Sequence, residues 1–346
     1  MFPWLAMGHL IPFLRLSKCL AQKGHQISFI STPRNLQRLP KVPTNLSPLI
    51  TLIPLPFPQV ENLPHQAESS MDIPFQKSQF LKIAFDSLES PLTQFLQTAD
   101  PKPDWVIFDF ASHWLPPLAA KLRISCAFFS LFNAATMAFL GPAEVLLAGQ
   151  GNRKTADDFT VVPDWVPFES NVAFRVHEVM KYVDGSSGNN ESGTSDPVRL
   201  GASIDGSGLV LIRACMEFER EWLELLCELY RKPVISVGIL PPDLEGSELE
   251  NGDKWVCIKE WLDKQGLNAR LLQGKKVGVE IPRDDRDGSF TSDSVAETVR
   301  FAMLSEEGDL IRANAREMRG LFGHKNRNDG YIDSFVHCLL ERKTSK

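Results

Sequence analysis

Two residues of this sequence could together activate a hydroxyl group. His9 follows Gly8 where an initial apolar segment, MFPWLA, meets a helical pattern, and Asp109 ends the apolar run DWVIFD. Alone, a histidine near a helix start or an aspartate after a strand is usually structural. A carboxylate that fixes the tautomer of an imidazole makes that imidazole a general base. The two residues therefore predict a general base, provided that the fold brings them together.

The pattern around His9 and Asp109 predicts an α/β domain with a doubly wound parallel sheet. Short apolar runs alternate with helical segments, which is typical of βα units. In such sheets ligands bind beyond the carboxyl ends of the strands, and both residues follow such ends. We expect this domain to cover residues 1–240. Its predicted strands are 1–6, 25–32, 104–110, 125–132, 208–215 and 232–240, and its predicted helices include 10–24 and 217–230.

The rest of the chain predicts a shorter second part. Residues 184–208 are rich in Gly, Ser and Asn and predict a mobile loop, and residues 241–264 are typical of a linker. Residues 265–346 predict one strand at 275–281 and four helices, at 268–274, 291–304, 305–320 and 330–342. A second open parallel sheet needs several βα units, each of about 20 residues or more, so this part is too short to form one.

Composition excludes several function classes. The chain has 346 residues and a net charge of -6, without a cationic cluster that would suit nucleic acid or an anionic membrane surface. The apolar stretch 126–149 is interrupted by Asn133, Pro142 and Glu144, which predicts buried core and no membrane span. Six scattered cysteines without C-x-x-C spacing, and a start without a signal-peptide pattern, predict reduced thiols and a cytoplasmic protein.

Other catalytic and binding motifs are weak or missing. The sequence has no G-x-S-x-G, no H-E-x-x-H and no G-x-x-x-x-G-K-[ST]. GASIDGSG, at 201–208, lacks the preceding strand of a dinucleotide fingerprint and is interpreted as a loop. RDDRDG, at 283–288, could bind a cation, but a polar turn is the better interpretation. His25 and His113 are interpreted as structural.

Longer segments carry a resemblance to a known family. FPWLAMGHLIPFLRLSKCLAQKGHQISFISTPRN, PDWVIFDFASHW, LIRACMEFEREWLELL and KPVISVGILPP resemble plant family-one UDP-glycosyltransferases, most of all the rhamnosyltransferase-like branch. The resemblance implies a GT-B fold, an amino-terminal acceptor domain and a carboxyl-terminal domain for a UDP-sugar co-substrate. It implies an inverting transfer to a flavonoid or triterpenoid glycoside, or another plant secondary metabolite, with no metal, no further cofactor and a monomeric enzyme.

The same resemblance assigns roles to single residues. It implies that His9 is the catalytic base, that Asp109 is its partner and that Gln265 contacts the donor sugar. Loops after the amino-terminal strands supply the acceptor contacts in such enzymes. The candidates here are Trp4, Met7, Trp114, Phe132 and Asn133, although aromatic residues in these runs are more often core.

One departure from the family lies at WLDKQGLNARLL, residues 261–272. In the family, a block with the donor-binding signature, including WAPQ and HCGWNS, separates the two halves of this stretch; neither run occurs here. The family's first strand also begins before the position of Met1. We therefore expect a truncated donor domain over 265–346 and weak or absent sugar transfer. The alternatives are a catalytically silent acceptor-binding protein, or an incomplete gene model whose product does not fold stably.

Overall fold

The structure is a computed structural model that describes residues 1–151, 153–179, 191–240, 266–323 and 325–344. The strands of this part are β1 (Ile27–Ser31), β2 (Ile50–Pro54), β3 (Trp105–Phe108), β4 (Ser125–Ser130), β5 (Leu209–Ile212) and β6 (Val234–Ser236). The α-helices are α1 (Met7–Gln22), α2 (Pro33–Arg38), α3 (Ser78–Asp86), α4 (Glu89–Thr98), α5 (Leu115–Lys121), α6 (Ala134–Leu140), α7 (Ala143–Leu147), α8 (Asp196–Gly206), α9 (Met216–Tyr230), α10 (Gly266–Gly274), α11 (Ser292–Leu304), α12 (Asp309–Gly323) and α13 (Lys325–Thr344).

Two parallel sheets lie side by side and are joined by the first residues of the chain. β1 pairs with β2, and the second sheet has the order β3-β4-β5-β6. The Ile30 N–H in β1 donates to the Met1 carbonyl at 2.9 Å, and the Phe2 N–H donates to the Ile107 carbonyl in β3 at 2.9 Å. With Met1 and Phe2 counted as a central first strand, the strand order is that of a doubly wound sheet. The predicted fold class is therefore confirmed for the sheet.

The predicted strand over residues 1–6 is wrong in its extent. A single bridge, Phe2 to Phe108, represents it. Pro3 has no N–H to donate, and the Trp4 N–H donates to the side chain of Asp109 and not to a strand carbonyl. The ladder stops because its next donor is already used by the carboxylate.

β3, β4 and β5 are buried on both faces, which explains their continuous apolar runs. Along β4, Cys126 and Phe128 face one apolar cluster, and Ala127 and Phe129 face the other. Side chains alternate between faces along a strand, so a strand covered on both sides has no polar positions. The predicted strands at 25–32, 104–110, 125–132, 208–215 and 232–240 are confirmed with shorter bounds. β2, within SPLITLIP, was not predicted.

The loop predicted over 184–208 is wrong from residue 196 onward. Asp196–Gly206 forms α8, with Pro197 in its first turn, where proline is tolerated. Leu200 and Ile204 share one buried face of this helix. Gly201 lies so close to α7 that an added Cβ would stand 2.9 Å from the Leu146 Cβ. The glycines therefore allow close helix packing here. Residues 184–190 and the predicted linker lie outside the described residues.

The carboxyl-terminal helices pack partly on the amino-terminal sheet. Ile332 and Phe335 of α13 belong to the same buried cluster as Phe13 of α1, and the Tyr331 hydroxyl accepts the Met216 N–H at 2.7 Å. The four helices predicted in this part are confirmed. In contrast, α11 leaves large apolar side chains exposed, including Val299 at 52%, Met303 at 63% and Leu304 at 79%.

The strand predicted at 275–281 is also wrong. These residues form no strand, and the described residues from 266 onward contribute only helices to the secondary structure. A strand needs a neighbouring strand to accept its backbone hydrogen bonds, and the described residues from 266 onward offer none. Residues 283–288 form the polar turn that we expected, with Arg286 Nη2 at 3.2 Å from Asp284 Oδ2. In the described parts of the chain, no helix combines the length and the apolar character needed to cross a bilayer.

Candidate active site

The fold brings His9 and Asp109 to the place where the sheet changes direction. The chain leaves the central first strand at Phe2 and enters α1 at Met7, while β3 ends at Phe108 on the adjacent position of the sheet. Successive strands lie on one side of the central strand up to β2 and on the other side from β3 onward. Ligands of doubly wound proteins bind at this switch point, beyond the carboxyl ends of the strands.

His9 and Asp109 are in direct contact. Nδ1 of His9 lies 2.8 Å from Oδ2 of Asp109. The Asp109 side chain is 2% exposed, and the His9 side chain is 23% exposed. An ionised carboxylate only accepts hydrogen bonds, so Nδ1 carries the proton and the lone pair is on Nε2. The pair is therefore arranged as an oriented base with a buried orienting carboxylate.

Backbone groups hold the Asp109 carboxylate in place. The Trp4 N–H donates to Oδ2 at 2.6 Å, and the Ala111 N–H donates to Oδ1 at 3.2 Å. These donors compensate the loss of water around a carboxylate that is almost fully buried. The ring of Phe110 lies 5.6 Å from the His9 ring, centroid to centroid. The contact with Asp109 and the nearby Phe110 ring therefore restrict rotation of the His9 imidazole.

Two of the five residues predicted to contact an acceptor are part of the apolar core. Trp4 is 6% exposed and Trp114 is 8% exposed. Trp4 packs edge-on against Phe85 at 5.1 Å, and Trp114 packs against Phe2 at 5.8 Å. Their buried packing fits the core interpretation that competed with acceptor contact.

The other predicted contacts lie nearer the surface. Met7 is half-buried at the start of α1, and Phe132 is 52% exposed after β4. Asn133 caps α6, because its Oδ1 accepts the Thr136 N–H at 2.8 Å, and its Nδ2 donates to Asn268 in α10 at 2.8 Å. Gln265 lies outside the described residues. For all six residues, contact with substrate stays a prediction.

Comparison with known proteins decides the family. No protein-family model matches the sequence. UDP-glycosyltransferase 91C1 of Arabidopsis thaliana is 43% identical, and the match covers 100% of this chain and 97% of the relative. Soyasaponin III rhamnosyltransferase of Glycine max is 30% identical, with 98% and 94% covered. This chain belongs to the plant UDP-glycosyltransferases. The match to the Arabidopsis UDP-glycosyltransferase extends over 451 residues, 105 more than the 346 of this chain.

A solved structure supports the fold of this UDP-glycosyltransferase. Glycyrrhiza uralensis UGT73P12, complexed with glycyrrhetinic acid 3-O-monoglucuronide, superposes with a TM-score of 0.70. The match is 15% identical and covers 99% of this chain and 95% of the other. At this identity the similarity concerns the fold, which is that of the GT-B glycosyltransferases.

Sequence reasoning missed the ionic cluster behind the site of this UDP-glycosyltransferase. Arg199 of α8 is fully buried and contacts both carboxylate oxygens of Asp86, at 2.8 and 2.5 Å. It also lies 3.1 Å from Nδ1 of His113. Burial, and secondarily the Arg199 charge, lower the pKa of His113. These contacts fit the structural interpretation of His113. Arg199 had no local signal, because it stands in a stretch that resembles a loop.

A second missed group is Glu219, which α9 places beneath the start of α6. Its Oε1 accepts the Ala135 N–H at 3.0 Å, and the residue is 3% exposed. The backbone of Glu219 departs from helical geometry, with φ -129° and ψ 34°. Burial raises the pKa of the Glu219 carboxyl from its ordinary 4.5 to about 7. This UDP-glycosyltransferase thus contains a buried carboxyl that titrates near neutral pH.

Replacement of this carboxyl is expected to change how stability depends on pH. The folded protein binds the Glu219 proton more tightly than the unfolded chain, so the contribution is complete below pH 4.5 and is lost as pH rises through 7. Glu219→Gln keeps an oxygen for the Ala135 N–H but does not titrate. Relative to wild type, its free energy of unfolding should rise by about 2–3 kcal/mol between pH 5 and pH 8.

Urea denaturation at the two pH values measures this difference. Glu224→Gln, on the exposed side of the same helix, is the matched control and should follow the wild-type pH dependence. Parallel curves for wild type and Glu219→Gln would show that Glu219 is not the group that titrates.

Proposed function

We propose that this UDP-glycosyltransferase activates a hydroxyl group of a plant secondary metabolite, or of its glycoside, through His9. Nε2 takes the proton of the hydroxyl, and the acceptor oxygen attacks the anomeric carbon of a UDP-sugar. The bond from that carbon to the UDP oxygen breaks on the opposite face, so the configuration inverts. Asp109 holds the tautomer and stabilises the imidazolium that forms. The contact of 2.8 Å between His9 and Asp109 is the observation that carries this proposal.

The donor side of the proposal differs from that of an intact relative. The sequence lacks WAPQ and HCGWNS, the runs that the family resemblance associates with UDP-sugar binding. A match that is 105 residues longer than the chain supports a missing internal block. The exposed apolar side chains of α11, which include Met303 and Leu304, support a missing neighbour. We therefore infer that residues 265–346 are a remnant of the donor domain.

Two contributions to the rate of the reaction can be compared for such a chain: general base catalysis and the positioning of donor and acceptor. A positioned general base contributes typically 10² to 10⁴-fold, or about 3–5 kcal/mol. Holding donor and acceptor in register contributes about 7–11 kcal/mol. The chain keeps the residues for the smaller term and lacks those for the larger one. We therefore expect weak transfer or none from the chain as it stands.

The second candidate function is acceptor binding without transfer. The same missing block favours it, because the base and its surroundings are present while the donor signature is not. In both cases the acceptor is a small molecule, and the donor, where used, is a UDP-sugar. A monomeric state and a cytoplasmic location remain predictions of the sequence.

Isothermal titration calorimetry with two probes tests the acceptor and donor sides separately. A flavonol monoglycoside and a triterpenoid monoglycoside serve as acceptor probes, and UDP serves as the donor probe. We expect heat of binding for at least one glycoside and none for UDP, while the intact Arabidopsis relative binds UDP. UDP binding by this chain would contradict the inferred loss of the donor site. Absence of glycoside binding would contradict acceptor recognition.

Phe132→Ala is expected to weaken glycoside binding roughly tenfold, because an exposed ring that covers a bound ligand contributes about 1–2 kcal/mol. Phe132 is 52% exposed in the free protein, so its truncation should leave the fold intact. Phe290→Ala removes a comparably exposed ring, 42%, from the turn before α11 and is the matched control. Equal glycoside affinities of Phe132→Ala and Phe290→Ala would contradict the assignment of Phe132 to the acceptor site.

A further inference from the structure

The loop that carries Asp109 depends on a helix distant in sequence. After β3 ends at Phe108, residues 109–114 follow no regular secondary structure before α5 begins at Leu115. Buried carbonyl groups in such a turn need donors from elsewhere. α8 supplies two of them: the Ser203 hydroxyl donates to the Phe110 carbonyl at 3.2 Å, and Arg199 Nη1 donates to the Ala111 carbonyl at 3.0 Å.

The two donors form a single feature of α8. Arg199 and Ser203 are four residues apart, so they stand one turn apart on the same face of the helix. Both residues are fully buried, at 0% exposure. Their acceptors, the carbonyls of residues 110 and 111, are consecutive and directly follow Asp109.

A series of hydrogen bonds connects this face of α8 to the His9 imidazole. The Ala111 N–H donates to Oδ1 of Asp109 at 3.2 Å. This N–H belongs to the same peptide group as the Phe110 carbonyl, which Ser203 holds, and Arg199 holds the carbonyl of the next peptide group. Oδ2 of Asp109 in turn lies 2.8 Å from Nδ1 of His9. The peptide that fixes one carboxylate oxygen is therefore itself fixed by α8. Asp86 fixes the orientation of the Arg199 guanidinium, because its two carboxylate oxygens accept two hydrogen bonds from it.

We propose that Arg199 and Ser203 are positioning residues, which hold the Phe110 and Ala111 peptides so that the Asp109 carboxylate keeps His9 in its Nδ1–H tautomer. This inference deepens the proposed function and depends on it for its catalytic meaning. Loss of either donor removes a hydrogen bond from a carbonyl of this turn, and the turn relaxes toward other donors. The Asp109 carboxylate then rotates, and the imidazole is no longer restricted to one tautomer.

Long-range proton–nitrogen NMR spectra of the imidazole rings in the 346-residue chain test the proposal without any need for activity. The His9 signals are assigned by their loss in His9→Gln. In the wild-type protein, His9 should show the Nδ1–H tautomer alone. In Ser203→Ala and in Arg199→Gln, we expect averaged nitrogen shifts that report a mixture of both tautomers.

Two matched controls distinguish a specific effect on the Asp109 turn from a general loss of packing. Ser207→Ala removes a hydroxyl at the end of α8 that donates to the Ile204 carbonyl, away from the Asp109 turn. Arg153→Gln removes a buried arginine that donates to the Phe139 carbonyl. Both controls should keep the wild-type His9 spectrum.

The outcomes are distinguishable from those of the proposed function. A wild-type His9 without the Nδ1–H tautomer would overturn the proposed base itself. A pure Nδ1–H tautomer in Ser203→Ala and in folded Arg199→Gln would overturn the positioning role only. Should Arg199→Gln fail to fold, Ser203→Ala decides, because it removes one hydroxyl and no charge.

Discussion

A chimera that gains the block inferred to be missing is expected to transfer sugar. The block is the part of Arabidopsis UDP-glycosyltransferase 91C1 without a counterpart here, inserted between Lys264 and Gln265, where the sequence departs from the family. It would restore the register of donor and acceptor, the larger energetic term of the reaction. UDP release with a glycoside acceptor should rise from background to a clear turnover. A coupled assay that detects UDP measures this change.

In this chimera, His9→Ala is expected to lower kcat/KM by about 10² to 10⁴-fold, the usual contribution of a positioned general base. Asp109→Asn should lower kcat as well, because an amide can present an N–H to Nδ1 and favour the wrong tautomer. His337→Ala is the control, since His337 is an exposed side chain on α13 that pairs with Glu341. A folded chimera whose turnover is the same with and without His9 would contradict the assignment of the base.

Phe85→Ala is expected to lower the free energy of unfolding by about 3–5 kcal/mol, the usual cost of a phenylalanine truncation in a packed core. Phe85 is fully buried, stacks on Phe2 at 5.1 Å and packs against Trp4 at 5.1 Å. The cavity would lie beneath Trp4, whose N–H donates to Asp109. Urea denaturation followed by tryptophan fluorescence measures the loss.

Phe75→Ala provides the comparison for Phe85→Ala. Phe75 belongs to the segment just before α3 and is 62% exposed. Its truncation should change the free energy of unfolding by less than about 0.5 kcal/mol. A Phe85→Ala protein as stable as Phe75→Ala would show that the aromatic cluster beneath the site is not tightly packed.

The proposals for His9 and for residues 265–346 are independent of each other. The base depends on a contact between two described side chains, His9 and Asp109. The proposed loss of the donor site depends on absent sequence runs and on the length of the match to a relative. Calorimetry with UDP can therefore contradict the proposal for residues 265–346 and leave the proposal for His9 unaffected. The NMR spectrum of His9 can contradict the proposed base and leave the proposal for residues 265–346 unaffected.

The sequence by itself determined the parallel sheet, the positions of most strands and helices, and the pair His9 and Asp109. Those features follow from local signals: apolar runs with two-residue or helical periodicity, and polar residues directly after a strand. The proposed break at residues 261–272 also comes from the sequence, because it was inferred from the absence of WAPQ and HCGWNS.

Only the tertiary structure decided how His9 and Asp109 are held. α8 was not predicted, because it lies in a stretch rich in Gly and Ser. Its stability comes from packing against α7 and from the buried Arg199 and not from local propensity. The strand predicted at 275–281 failed for a related reason: a strand exists only where a neighbour accepts its hydrogen bonds. The Trp4 and Ala111 N–H groups donate to the Asp109 carboxylate, and residues 199 and 203 donate to the carbonyls of the two residues that follow it. Only folding brings groups so distant in sequence to one turn.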